Sequence, residues 1–173
     1  MGHVDLGLLL LRLALATLLA GHALQKSVGW FGGAGRAQTA AVFHAWGFRP
    51  GAVMVIIAAL SELAGATLLA LGVAHPLACA MVIGTMTVAA TPSVANGLWA
   101  HLGGCEVPAI YGGVAACLAI TGPGAVSLDH ALGLETTGWW VSAAAIALGL
   151  VAALPPVHRR RRVLRLELPA GTE

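Results

Sequence analysis

The segment 52–73, AVMVIIAALSELAGATLLALGV, decides the fold class. Glu62, near its middle, is the only charged residue, and all the others are apolar, small or hydroxyl-bearing. A run of this length matches the ~20 residues with which an α-helix crosses the ~30 Å hydrocarbon core of a bilayer. The segment therefore predicts a transmembrane helix that carries one carboxyl group at membrane depth.

The composition of the whole chain favours the same class of protein. Of its 173 residues, 58% are hydrophobic and 9% are charged, whereas a soluble domain has about 25% charged residues. A chain with so little charge cannot cover its own surface with polar groups in water. These values argue against a soluble enzyme, a nucleic-acid-binding protein and a disordered segment, and they favour an integral membrane protein.

Five apolar segments predict an all-α bundle of transmembrane helices over residues 1–155. The spans are expected at residues 6–24, 52–73, 76–90, 107–121 and 138–154. The fourth and fifth are short for a bilayer, so tilt or flanking residues would complete them. The fifth is expected to end at Pro155 and Pro156, because proline interrupts helical hydrogen bonding.

The long first connection predicts a short helix of its own. Over residues 37–46, Ala40, Phe43 and Trp46 lie near one side at helical spacing. Such a segment is typical of an amphipathic helix at the membrane interface.

The positions of Lys and Arg predict the orientation of the bundle. Except for Arg12, every basic residue lies in the first connection or in the tail, residues 156–173. The tail contributes Arg159, Arg160, Arg161, Arg162 and Arg165. Because cytoplasmic segments are enriched in basic residues, the N-terminus is expected outside and the basic tail in the cytoplasm.

Ionisable side chains at membrane depth indicate where a polar interior could lie, because each costs roughly 2.5–3.5 kcal/mol to insert and needs a partner. Arg12 and Glu62 are expected at similar depths in antiparallel helices, which predicts an ion pair that either fixes helix register or belongs to a binding site. Gln25 and Lys26 add donors at the end of the first span. Lys26 either extends to the headgroups or helps to bind a lipid-soluble carbonyl compound such as a quinone.

The segment 96–106, NGLWAHLGGCE, gathers the other polar residues. His101, Cys105 and Glu106 are possible metal ligands, but they lack a recognised ligand spacing, so no metal site is predicted. The chain contains no phosphate-binding loop, dinucleotide fingerprint or c-type haem motif. The residues by themselves predict a polar membrane bundle and leave the reaction open.

Small residues at four-residue spacing predict close helix packing, most clearly at Ala145, Gly149 and Ala153. Such a face lets two backbones approach closely in lipid. Contacts within one bundle and contacts in a homodimer both fit this pattern.

Several stretches, taken in their order, resemble the DoxX family of small integral membrane proteins over about residues 6–133. They are GHALQK at 21–26, GWFGG at 29–33, TAAVF at 39–43, ALSELAG at 59–65, NGLW at 96–99 and TGPG at 121–124. The chain departs from the family pattern at Thr91-Pro92-Ser93, where a histidine is common, and at Cys105, where a tyrosine is common.

The resemblance implies a four-helix bundle in the bacterial inner membrane, to which the fifth apolar segment would add a helix. It also implies a link to quinone-coupled oxidation of thiosulfate and to membrane-associated oxidoreductase complexes. The polar positions that it carries over as candidate ligand-binding residues are Arg12, Gln25, Lys26, Glu62, Asn96 and Glu106.

Three functions fit these expectations. The first is a membrane component of a redox system that binds a quinone or another lipid-soluble molecule, has no cofactor of its own and acts with partner oxidoreductase subunits. The second is a non-catalytic accessory or scaffold subunit of a larger membrane complex. The third, a transporter, is the least favoured, because the spans show no repeat symmetry. Membrane lipids and protein subunits are the expected partners, and nucleic acid is not.

Overall fold

Seven α-helices form the part of the chain that the computed structural model describes, residues 2–136 and 138–167. No strand occurs in these residues. Three single-turn 3-10 helices lie in the connections at Trp30–Gly32, Val94–Asn96 and Ala100–Leu102. The α-helices are α1 (His3–Ser27), α2 (Gly35–Ala45), α3 (Gly51–Leu71), α4 (His75–Ala90), α5 (Glu106–Thr121), α6 (Leu128–Ala131) and α7 (Trp139–Glu167).

Three of these helices, α1, α3 and α7, are long and apolar enough to cross a membrane. The helices α4 and α5 are also apolar but have 16 residues each. The all-α membrane protein predicted from the sequence is confirmed, and α1, α3, α4 and α5 lie where the first four spans were expected. That α4 and α5 also cross the bilayer stays a prediction.

A glycine-rich turn separates α1 from α2. Gly29 has a left-handed backbone, with a φ of 78°, which glycine adopts without steric cost. Gly33 folds back onto the end of α1, where a Cβ atom would come within 2.5 Å of the Gln25 backbone. The turn therefore allows α1 to stop and the chain to start a second helix close to it.

The helix α2 packs against α3. Gly51, the first residue of α3, lies so close to the Ala40 carbonyl of α2 that any side chain there would collide with it. The helix predicted in the first connection is thus present, although its placement at the membrane interface stays a prediction.

The face of Ala145, Gly149 and Ala153 packs inside the bundle, where all three residues are buried. A Cβ atom at Gly149 would lie 2.6 Å from the Ala80 carbonyl oxygen, and one at Gly84 would lie 2.9 Å from the Gly149 carbonyl oxygen. The backbones of α4 and α7 therefore meet with no side chain between them. A homodimer would need a different face.

The helix α7 continues beyond the predicted end of the fifth span. It passes through Pro155 and Pro156 and runs to Glu167, so the proline pair does not end the helix, while the end of the membrane span itself stays a prediction. A proline removes one helical hydrogen bond and disturbs the preceding turn, yet a helix can continue where other contacts hold it. Of the predicted tail, 156–173, the first part is helical and residues 168–173 lie outside the described residues.

Contacts with the first connection hold this extension of α7. The Arg160 Nε atom donates a hydrogen bond of 2.8 Å to the Trp46 carbonyl oxygen, and the guanidinium lies 5.7 Å from the centre of the Phe48 ring. Arg49 forms an ion pair with Glu167. The two basic regions thus lie together, as expected for segments on one side of a membrane, while the choice of the cytoplasmic side stays a prediction.

Candidate functional site

The buried carboxyl group of α3 pairs with a lysine. Lys26 Nζ lies 2.5 Å from Glu62 Oε1, and the two side chains are 21% and 3% exposed. The predicted Arg12–Glu62 pair is therefore wrong. The interpretation in which Lys26 extends to the headgroups does not hold either, because its ammonium group points to the Glu62 carboxylate.

The position along α3 at which α1 ends explains why Glu62 pairs with Lys26 and not with Arg12. Lys26 is next to the last residue of α1, whereas Glu62 is near the middle of α3. Their contact places the end of α1 halfway along α3, so that half of α3 extends beyond α1 and packs against α2. Arg12 lies 14 residues before Lys26 on the same helix, which separates them by about 21 Å at ~1.5 Å per residue.

A cavity of about 620 Å³ lies beside this ion pair. Its lining comes from Lys26 at the end of α1, from α2, α3, α4 and α7, and from residues next to these helices. The walls are mainly apolar and aromatic, and they include Phe43, Trp46, Met54, Ile57, Met81 and Val88. Because α1 ends beside the middle of α3, it leaves space here that large apolar side chains surround without filling.

Five polar side chains line the cavity. Lys26 and Glu62 carry the charges, and Thr39, Ser61 and Thr85 carry hydroxyl groups. The Glu62 Oε2 atom is buried and has no hydrogen-bond partner in the structure. An apolar cavity with a few polar groups gathered on its wall is the usual form of a site for a small molecule.

Arg12 belongs to a different polar cluster, near the other end of α1. It is completely buried, and its Nη2 atom donates a hydrogen bond to the Val126 carbonyl oxygen. Nearby, the carboxylate of Asp129 accepts hydrogen bonds of 2.9 Å from the backbone N–H groups of Ala74 and His75. This cluster holds the start of α4 and the connection before α6 together, and it does not line the cavity.

The other three candidate residues contact nearby connections. Asn96 Nδ2 donates to the Gly103 carbonyl oxygen at 3.1 Å, and Glu106 accepts from the Ala100 N–H at 2.8 Å. Both hydrogen bonds order the connection between α4 and α5. Gln25 lines a separate hollow of about 230 Å³ on α1. Of the six predicted site residues, the structure thus brings together only Lys26 and Glu62.

Comparison with known proteins adds one finding. The family model of DoxX matches residues 7–102 of this chain. The chain belongs to the DoxX family. No curated protein and no solved structure matches it. The matched range includes Lys26, Glu62 and the whole of α2, α3 and α4, whereas α7 lies beyond it.

The cavity of this DoxX protein contains residues that sequence reasoning missed. Ser61 and Thr85 are common hydroxyl residues of apolar helices, and nothing in their spacing marks them as part of a site. Phe43 and Trp46 were expected at the membrane interface, and their position on the wall of a cavity was not predicted. The one available signal was that Ser61, which carries a hydroxyl group, directly precedes Glu62 in the sequence.

Metal-ligating side chains are scattered in this DoxX protein. Within residues 2–136 and 138–167, no three His, Cys, Asp or Glu side chains come together in a group that could hold a metal ion. Cys79 is buried, Cys105 is partly exposed and Cys117 is exposed, and all three are free thiols. The cavity beside Lys26 and Glu62 is therefore the arrangement in the described residues that best suits a ligand.

Proposed function

We propose that this DoxX-family protein binds a quinone, or another lipid-soluble molecule of similar form, in the cavity beside Lys26 and Glu62. The protein would act as a membrane component of a redox system in the bacterial inner membrane, together with partner oxidoreductase subunits. The observation that carries the proposal is the buried ion pair on the wall of an apolar cavity.

The size and the walls of the cavity support this class of ligand. Its volume of about 620 Å³ lies within the range of roughly 300–1,000 Å³ of small-molecule sites. The Phe43 and Trp46 rings are stacked, with centroids 5.9 Å apart and planes at 29°. Flat aromatic faces favour contact with another flat ring, and the apolar walls favour a molecule that reaches the site from the lipid.

The ion pair would orient the head of such a ligand. The Lys26 ammonium group has three donors and uses one of them on Glu62, so a ligand oxygen near Lys26 would accept a further hydrogen bond. A quinone bound here takes up two electrons and two protons overall, and the electrons would come from a partner subunit. This chain would bind the ring and shield it from water.

Filling the cavity should remove the ligand. In an Ala58→Phe variant, a phenyl ring would enter the space that Ala58 lines, and we expect the quinone that co-purifies from the native membrane to fall by about tenfold or more. The measurement is the amount of quinone per protein chain, by mass spectrometry after gentle extraction. Ala64→Phe is the matched control, since Ala64 is exposed on the same helix and does not line the cavity.

The outcome also separates the two leading functions. Equal quinone in the two variants, or none in the wild-type protein, would contradict the binding proposal. The accessory-subunit function has its own support in the exposed arginines of the α7 extension, Arg159, Arg161, Arg162 and Arg165. Partner proteins that co-purify at a fixed ratio with no quinone would favour that second function.

A further inference from the structure

We propose that the cavity selects a lipid-soluble molecule whose head carries a hydroxyl group, such as a phenol or the reduced quinol, over one that offers only carbonyl or ether oxygens. This inference rests on the proposed function, because it concerns the same cavity. It adds the chemical class of the head group that Lys26 and Glu62 would recognise.

The hydrogen bonds of Glu62 provide the first part of the argument. Its Oε1 atom accepts from Lys26, while its Oε2 atom is buried without a partner. An ionised carboxylate is only an acceptor, and a buried acceptor without a donor costs free energy. A ligand group that pairs with Glu62 Oε2 must therefore be a hydrogen-bond donor.

Lys26 provides the second part. Its ammonium group offers two further donors beside the one that Glu62 accepts. A hydroxyl group both accepts and donates, so one hydroxyl between the two side chains would accept from Lys26 and donate to Glu62. A quinone carbonyl or an ether oxygen would accept a hydrogen bond from Lys26 but would leave Glu62 Oε2 without a donor.

The soft last torsion of a glutamate side chain makes this contact accessible. Glu62 lines the cavity but its Oε2 atom is buried, so the carboxylate must turn for this oxygen to meet a ligand. Rotation about the final bond of glutamate has broad minima. A ring without a hydroxyl would also exclude water from this oxygen, which keeps the acceptor unpaired in the complex.

A matched pair of probes tests the selection without any redox chemistry. The probes are 4-nonylphenol and 4-nonylanisole, which have the same ring and tail but differ in whether the head oxygen carries a hydrogen. The full chain in lipid nanodiscs would be titrated at neutral pH with each probe, and tryptophan fluorescence would be followed because Trp46 lines the cavity. Titrations of empty nanodiscs correct for partition into lipid.

We expect the phenol to bind at least about tenfold more tightly than its methyl ether, since the ether leaves Glu62 unpaired. The preference should fall below about threefold in the Lys26→Met/Glu62→Leu variant, and remain in Glu135→Gln, whose carboxyl group lies on the surface. If the double variant does not fold, Glu62→Gln serves instead, because an amide can donate to the ether oxygen.

Each other outcome has a definite meaning. Equal binding of the two probes, or tighter binding of the ether, would overturn the selection for a hydroxyl group and leave the cavity proposal standing. A phenol preference that persists in the variants of Lys26 and Glu62 would also overturn it. If neither probe binds, both this inference and the proposed function fail.

Discussion

Replacing Lys26 alone will destabilise the protein more than replacing Lys26 and Glu62 together. In Lys26→Met, the buried Glu62 carboxylate loses the ammonium group that lies 2.5 Å from it. Removing one partner of a buried ion pair costs about 3–5 kcal/mol, whereas an apolar pair of similar volume is often tolerated. We therefore expect Lys26→Met/Glu62→Leu to lie within about 1 kcal/mol of the wild-type protein.

The measurement is the free energy of unfolding of the three proteins in the same mild detergent. The matched control is Glu135→Gln, which breaks the exposed pair with His130 and should change the free energy by less than about 1 kcal/mol. If the double variant is as unstable as Lys26→Met, the loss of the ion pair is not what destabilises the single variant.

The second large effect is expected at the contact between α4 and α7. A Cβ atom at Gly149 would lie 2.6 Å from the Ala80 carbonyl oxygen, which is backbone and cannot rotate away. Gly149→Val should therefore push the two helices apart and cost about 3 kcal/mol or more, at the upper end of overpacking effects. Because both helices line the cavity, quinone retention should fall as well.

Gly113→Val is the control for this substitution. Gly113 lies in the middle of α5, and a Cβ atom there meets nothing within 4 Å. The propensity cost of valine in a helix is shared by both variants, so the difference between their thermal unfolding temperatures isolates the contact between helices. Similar unfolding temperatures would mean that α4 and α7 do not meet at Gly149.

Local sequence pattern was enough to predict the apolar helices and the need of Glu62 for a polar partner. A single carboxyl group inside an otherwise apolar run requires a partner in any membrane bundle, and the sequence alone shows this. The identity of that partner depends on the relative heights of two helices. The prediction of Arg12 assumed that α1 and α3 begin and end at the same level, whereas the turn after α1 lets it end beside the middle of α3.

The extension of α7 and the cavity depend on contacts that a local pattern does not contain. Proline pairs usually end helices, but the contact of Arg160 with Trp46 spans more than a hundred residues of sequence. The cavity is a space between five helices, so no single stretch encodes it. Asp129 lies in α6, yet its carboxylate caps the start of α4, more than fifty residues earlier in the sequence.

The most direct test of ligand binding beside Lys26 and Glu62 is photocrosslinking in native membranes with a photoreactive quinone analogue, followed by peptide mapping. We expect labels on the cavity-lining residues of α3 and α4, such as Ile57, Ser61 and Thr85, and we expect excess unlabelled quinone to suppress them. Labels confined to exposed apolar residues outside the cavity, such as Leu60 and Ile110, and unaffected by the competitor, would contradict a quinone site in this cavity.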